Sequence, residues 1–417
     1  MPPTLPKPAE LQRTLVVVAS MYLIMVANGG MLLLVVGLKQ IAESFGWPRS
    51  VPSLAYAFLF IGTGFGGIVM GYWYDRSGAG PVTLLGTIMI GSGAMLSSLV
   101  QEDWHLYLIY GLMMGLLGQA TIYGPLVLNV MSWFEHRRGF AIGLITAGQG
   151  LGGAIWPPVF RHFNETVGWR ETFVWFGLFV VITSAPLTFL LRRPTTGAKL
   201  ERVNESEMAD LLPVSRPRVN LHLPAWLVQT SICLAIVGCC VSMSMPLAHL
   251  VAHASDLGHS MARAAEMLAV ALLTATAVRL TAGTLLVDRF GGLASLFVFS
   301  ALQAGALALF AIVDGLLAMY LVSVVFGLGY GGINMCYPLL VRDHLPPNES
   351  GRRLGVVLLF GALAMALGGW LAGYIFDFTG SYAPAFLVGV AFNVANLVLI
   401  LTLFMRSRDD SLQPSTA

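Results

Sequence analysis

Twelve predominantly apolar runs, each near or above the length of a bilayer-crossing helix, dominate this chain, and few folds can hold them. They cover roughly 14–38, 51–73, 82–100, 105–130, 139–160 and 171–191, then 224–252, 260–287, 292–312, 316–341, 352–375 and 382–404. At about 1.5 Å rise per residue, ~20 apolar residues cross the hydrocarbon core of a bilayer. In lipid each backbone N–H and C=O must find a partner within the segment, which a helix provides. The chain therefore reads as an all-α membrane protein with 12 transmembrane helices. The first run is too long for a signal-peptide core and counts as a span. Only 11% of residues are Asp, Glu, Lys or Arg, against ~25% in soluble domains. That is too few to cover a water-facing surface of this size. A net charge of +2 without a basic block excludes nucleic acid as a partner and leaves membrane lipid as the surroundings. Cys233, Cys239, Cys240 and Cys336 lie inside apolar runs, without metal-ligand spacing, and read as small buried hydrophobes. No cofactor and no metal are expected.

The runs fall into six, a polar stretch, and six more. This predicts an N-terminal six-helix bundle over 1–191, a cytoplasmic linker over 192–223 and a C-terminal six-helix bundle over 224–417. An even count puts both termini on one side. With the termini inside, 17 basic residues lie on the inner face, and only Lys39, Arg49, Arg161, Arg170 and Arg263 on the outer one. That bias predicts cytoplasmic termini. The halves also echo each other. GYWYDRSG precedes the third run and TLLVDRFGG the ninth, with Asp75 and Asp288 213 residues apart. HRRG and GRRLG precede the fifth and eleventh, their Arg pairs 215 apart. Two six-helix repeats in the same orientation suit a carrier with a central site that opens to each side in turn. Such a carrier is expected to function as a monomer.

Arg279 is the only basic residue well within a span, about eight residues from the inner end of the eighth. A charge at such depth costs ~2.5–3.5 kcal/mol on insertion scales. Positions 275 and 283, one turn away, are Ala and Gly, so no acid neutralises it there. Helix carbonyls or the interface could satisfy it. An anion from solution is the functional alternative, since a guanidinium presents a planar fork that matches a carboxylate. One embedded cation neutralises one carboxylate, which favours a small organic monoanion over a dianion. Asn28, Gln119, Tyr123 and Gln149 in the first half, with Tyr330, Asn334 and Tyr337 in the second, are mid-span polar groups that could meet the substrate. Tyr382 opens the twelfth span near its outer end. Gln119 with Tyr123, and Tyr330 with Asn334, share a helix face. Each alone reads more simply as a helix–helix hydrogen bond. Asp75, Arg76, Arg137, Arg138, Asp288 and Arg289 lie at inner helix ends, as a gating charge network would. Gly124 with Pro125 predicts a kink in the fourth span, and Pro157 with Pro158 an end to regularity in the fifth. His249 and His253, near the outer mouth of the seventh span, could carry a proton, but read more simply as interfacial residues. An enzyme would need clustered His, Asp or Glu at an interface, and none is evident, so no catalytic activity is expected.

These motifs resemble the major facilitator superfamily. GYWYDRSG matches its Gly-x-x-x-Asp-Arg-x-Gly loop pattern at Gly71, Asp75, Arg76 and Gly78, with a degenerate copy at Asp288, Arg289 and Gly291. WFEHRRGFAIGLITAGQGLGG (133–153) is similar to the monocarboxylate-transporter signature entering the fifth span, and GWRETF (168–173) fits the same group. The resemblance implies the major facilitator fold and an alternating-access carrier of lactate or pyruvate, with Arg279 falling on the family's substrate-carboxylate residue. The bacterial branch also includes an oxalate–formate exchanger with a second cation in span 11, which this chain lacks. Animal members couple transport to a proton through a Lys in span 1 and an Asp one turn before the span-8 Arg. Here Leu32, Leu33 and Ala275 stand in those stretches. A co-transported proton by that route loses its residues, and exchange or uniport stays open.

Overall fold

The computed structural model describes residues 7–133, 138–191, 223–281, 289–345 and 350–409. The rest of the expected linker, 192–222, lies outside them. Every regular element among the described residues is helical. The spans are α1 (Lys7–Phe45), α2 (Ser50–Ser77), α3 (Ala79–Ser97), a broken α4 (103–131), α5 (Arg138–Thr166) and α6 (Trp169–Thr188). Then come α7 (Ala225–Asp256), α8 (Met261–Leu280), α9 (Gly292–Phe310), α10 (Leu316–His344), α11 (Ser350–Thr379) and α12 (Ala383–Asp409). Eleven of these are long and apolar enough to cross a membrane among the described residues. The 29-residue α5 supplies the twelfth. Helices apolar around their whole circumference belong in lipid or in a protein core rather than at a water interface.

The internal repeat is visible in the backbone. Among the described residues, six glycines have positive φ: Gly46, Gly78, Gly168, Gly258, Gly291 and Gly380. They form three pairs, Gly46 with Gly258, Gly78 with Gly291, and Gly168 with Gly380, separated by 212 or 213 residues. Gly78 (φ 80°, ψ −177°) and Gly291 (φ 83°, ψ 169°) stand before α3 and α9 in one conformation. A side chain at either would be strained, so the glycine that closes each Asp-Arg loop is required by the turn.

Two expectations about helix breaks change. Span 4 is irregular earlier than Pro125. Its short helix Asp103–Leu108 runs into π-helix at Ile109–Leu116, a 3-10 turn at Gln119–Thr121, and a new helix, Tyr123–Met131. Pro125 is the third residue of that new helix, where its missing N–H has no intrahelical acceptor to lose. In α5, by contrast, the helix continues through Pro157 and Pro158. Prolines are tolerated within membrane spans when neighbouring groups cover the freed carbonyls.

The chain divides into two compact units, Met1–Gln40 with Phe58–Lys199, and Ile41–Ala57 with Leu200–Ala417. The end of α1 and the first two turns of α2 thus group with the second unit, a division that the run of apolar segments does not suggest. In the first unit α3 packs on α6 and on the π-helical part of α4; in the second, α7 packs on α11 and α12, and α10 on α8 and α9.

Candidate functional site

Polar side chains of the first unit are directed at helix carbonyls. Asn28 Nδ2 donates to Gln149 O at 3.0 Å, Gln119 Nε2 donates to Ala27 O, and Trp156 Nε1 donates to Met25 O at 2.8 Å. Of the four candidate residues of this half, Asn28 and Gln119 thus spend side-chain amides on carbonyls at one turn of α1 or beside it, and Gln149 takes part through its backbone oxygen. A carbonyl inside a helix keeps a lone pair after its helical bond, and these amides and the indole use it. Tyr123 stands apart from them in the described contacts, with an exposed side chain at the start of the helix that follows the break.

In the second unit, Arg279 lies in the last turn of α8, whose regular helix ends at Leu280. The apolar run places it deeper, but residues 282–288 lie outside the described ones. The last turn presents carbonyl oxygens that favour a cation, which lowers the cost of the charge. The guanidinium is not free in water. Its Nε is fully buried, and its Cζ lies 4.9 Å from the centre of the Tyr330 ring on α10. The close approach of the two helices is built into the sequence. A Cβ on Gly327 would strike Ala271 O, and one on Gly331 would strike Ala275 O. Ala271, Ala275 and Arg279 follow at four-residue spacing, so the seam of small residues leads to the guanidinium and brings Tyr330 under it. Tyr337, two turns further along α10, is buried against Cys239 of α7. The Asn334 side chain lies outside the described residues.

Rings continue from Tyr330 through the second unit. Tyr330 stacks on Phe326 (6.1 Å between centroids), Phe326 meets Phe310 (6.2 Å), Phe310 meets Phe386 (5.8 Å), and Phe386 reaches Tyr382 (6.4 Å). Tyr382 therefore belongs to a second cluster at the far end of this chain of rings. Its hydroxyl accepts from Arg49 Nη1 at 3.1 Å and lies 3.2 Å from His249 Nδ1. Arg49 Nη2 also donates to Asp256 at 3.1 Å, and the guanidinium lies 4.6 Å from the Phe376 ring centre. The backbone N–H groups of Arg49 and Ser50 donate to the Asp377 carboxylate at 2.6 and 2.9 Å. Burial pushes the Tyr382 phenol well above its ordinary pKa in spite of Arg49, so it keeps its proton. Burial also works against the Arg49 charge, but Tyr382 and Asp256 outweigh it and its pKa is raised.

Sequence reasoning put Arg49 in an outer loop and read His249 and His253 as interfacial. All three are buried instead. His253 Nε2 lies 3.1 Å from Phe310 O. A signal was present: a face with only five basic residues places Arg49 near two acids at helix ends, Asp256 and Asp377. The six expected gating residues are only partly visible. Arg76 is exposed, bonds to Tyr72 and lies 4.2 Å from its ring centre, while Arg289 lies 5.7 Å from that of Phe290. Arg137 and Asp288 lie outside the described residues, as do the side chains of Asp75 and Arg138.

Comparison with known proteins decides the family. The sequence profile of the Major Facilitator Superfamily matches residues 18–369 and 230–417. The chain belongs to this superfamily. Membership makes it a secondary transporter that moves a small solute across a membrane, and not an enzyme. Superfamily relatives include rat monocarboxylate transporter 13, 26% identical over 329 residues that cover 79% of this chain and 74% of the relative. Mouse monocarboxylate transporter 11 is 27% identical over 337 residues, with 76% and 70% covered. The MFS-type transporter pynF of Aspergillus niger is 26% identical over 334 residues, with 78% and 70% covered. Among solved structures, a bacterial homolog of the human lysosomal transporter Spinster, inward-facing and unoccupied, superposes with a TM-score of 0.69 at 16% identity over 97% of this chain and 99% of that one. That likeness concerns the fold.

Proposed function

We propose that the chain carries a small monocarboxylate such as L-lactate or pyruvate, with the substrate carboxylate bound by Arg279. One observation carries the reading: a guanidinium with a buried Nε, held against the Tyr330 ring at the end of the small-residue seam between α8 and α10. The tyrosine ring steadies one face of the guanidinium, whose planar fork matches a carboxylate. The similarity to monocarboxylate transporters supports the same substrate class. Tyr123, Gln119, Asn28, Gln149, Asn334, Tyr337 and Tyr382 complete the proposed contact set, with Asn28, Gln119 and Gln149 acting through the shape of α1. Asp75, Arg76, Arg137, Arg138, Asp288 and Arg289 form the proposed inner charge network. The cytoplasmic placement of both termini rests on the charge bias, and the location in a plasma membrane of the bacterial inner-membrane kind on the resemblance to the bacterial branch of the family.

A second reading, exchange or uniport of an organic anion of the oxalate or formate type, is favoured by Ala275, Leu32 and Leu33 in the stretches where proton-coupling residues are expected. Uptake into proteoliposomes of lactate, pyruvate, oxalate and a neutral sugar, with Arg279→Gln beside the native chain, tests both. Monocarboxylate uptake should exceed that of the sugar and depend on Arg279. Uptake that survives Arg279→Gln intact would sink the assignment. Uptake of oxalate only when an anion is trapped inside would establish exchange.

A further inference from the structure

We infer that His249 Nδ1 is a proton-binding site, and that a proton bound there is incompatible with the hydrogen bonds that hold residues 41–57 to the helices of the second unit. The direction of each bond follows from the chemistry of its partners. Arg49 can only donate, so the Tyr382 oxygen accepts from Nη1 at 3.1 Å. The Tyr382 O–H must then point elsewhere, and His249 Nδ1 is 3.2 Å away. His249 Nε2 lies 2.8 Å from Gly369 O, which can only accept. Nε2 therefore bears the hydrogen and Nδ1 is bare. Ser53 Oγ, 3.4 Å from Nε2, already donates to Arg49 O at 2.6 Å. One arrangement of protons satisfies the whole set, and it requires neutral His249.

A proton added at Nδ1 reverses one bond. The Tyr382 oxygen would then face two cationic donors, and its own O–H would lose its acceptor. The Arg49–Tyr382 bond is the one that can yield, because Arg49 sits on the short segment between α1 and α2. The titratable and charged groups around His249 are His253 and Asp256 on α7, Asp377 on α11, Tyr382 before α12, and Arg49 and Tyr56 on the segment. Both acids are already used by the segment, through the Arg49 side chain and the Arg49 and Ser50 amides. A charged His249 therefore competes with the segment for the same counter-charges. The seat itself is shaped for the segment: a Cβ on Gly369 would strike the Tyr56 ring, and one on Gly373 would strike Ser53. Protonation thus unlatches 41–57, and deprotonation reseats it. This site does not depend on which solute Arg279 takes.

Hydrogen exchange measured by mass spectrometry on the full chain in lipid nanodiscs, without substrate, tests the inference. After correction for intrinsic exchange, protection of the Arg49 and Ser50 amides should fall about tenfold between about pH 8 and about pH 5.5, where histidine titrates and carboxylates stay ionised. In His249→Gln, which can still accept and donate but takes no proton, protection should be the same at both pH values. Tyr382→Phe, which keeps the ring but removes the hydroxyl, should give low protection at both. PH-independent protection in the native chain would overturn the inference, and so would an unchanged pH response in either variant. Because no transported solute is present, failure of the Arg279 reading leaves this result unaffected.

Discussion

The α2–α4 pair of the first unit and the α8–α10 pair of the second are two copies of one contact with different outcomes. Gly115 lies against Leu59 O, and Gly327 against Ala271 O, each residue 212 positions from its counterpart. In the first copy glycine extends along the seam: Gly62 and Gly66 face the backbone of Gly111 and Leu116. There α4 departs from α-helical geometry, through the π-helical stretch and the 3-10 turn. In the second copy α10 is a single 29-residue helix. At the same 212-residue offset, Arg279 takes the place of Gly67. Close approach is therefore common property, while backbone irregularity and side-chain charge are divided between the halves. The first unit breaks its helix and covers carbonyls with neutral amides; the second keeps its helix unbroken and adds a cation and a ring.

The largest effect that would sharpen this contrast is on Arg279. Arg279→Gln should lower monocarboxylate uptake about a hundredfold, the equivalent of about 3 kcal/mol from a lost buried ion pair. A neutral-solute control and the amount of folded protein should not change. Next come the twin glycines. Gly115→Ala and Gly327→Ala each push a Cβ into a backbone carbonyl and should each cost about 2 kcal/mol, read as thermal unfolding in detergent. Unequal losses would break the equivalence of the two seams. Tyr330→Leu should raise the substrate KM roughly fivefold by removing about 1 kcal/mol of ring–cation attraction, and Tyr330→Phe should restore it. A Phe variant as weak as Leu would move the role of Tyr330 from ring to hydroxyl. The smallest change is expected for Gln119→Leu, about 0.6 kcal/mol of stability, typical of a hydrogen bond between membrane helices. A tenfold loss of uptake in that variant would show that Gln119 touches the substrate directly rather than acting through the shape of α1.

Much of the architecture was legible because lipid imposes simple conditions. An apolar run long enough to cross has almost no alternative to a helix, and paired Asp-Arg loops identify the repeat before any coordinates. Local chemistry was less legible. Pro125 looked like the cause of a kink because proline breaks helices, yet it sits where a helix begins and its missing donor costs nothing. Arg279 was found by elimination, as the one basic residue that loops and span ends could not absorb. Arg49 escaped the same count because its position between two spans suggested water. Tyr382 was legible as the opening of the twelfth span near its outer end, but its meeting with Arg49 and His249 was not, since helical spacing relates residues on one helix and says nothing about its neighbour.

The amino-acid sequence by itself determined that this protein lies in a membrane as helices, that its halves repeat, and that one cation is carried in an apolar span. These follow from length, hydrophobicity and charge, which act locally and add along the chain. Only the tertiary structure decided which polar groups meet. It set Tyr330 under Arg279 and seated Arg49 between Asp256, Tyr382 and Phe376. It also gave buried His249 a single workable arrangement of protons. Such pairings depend on how closely helices approach and at what register, and a glycine that permits contact does not name its partner.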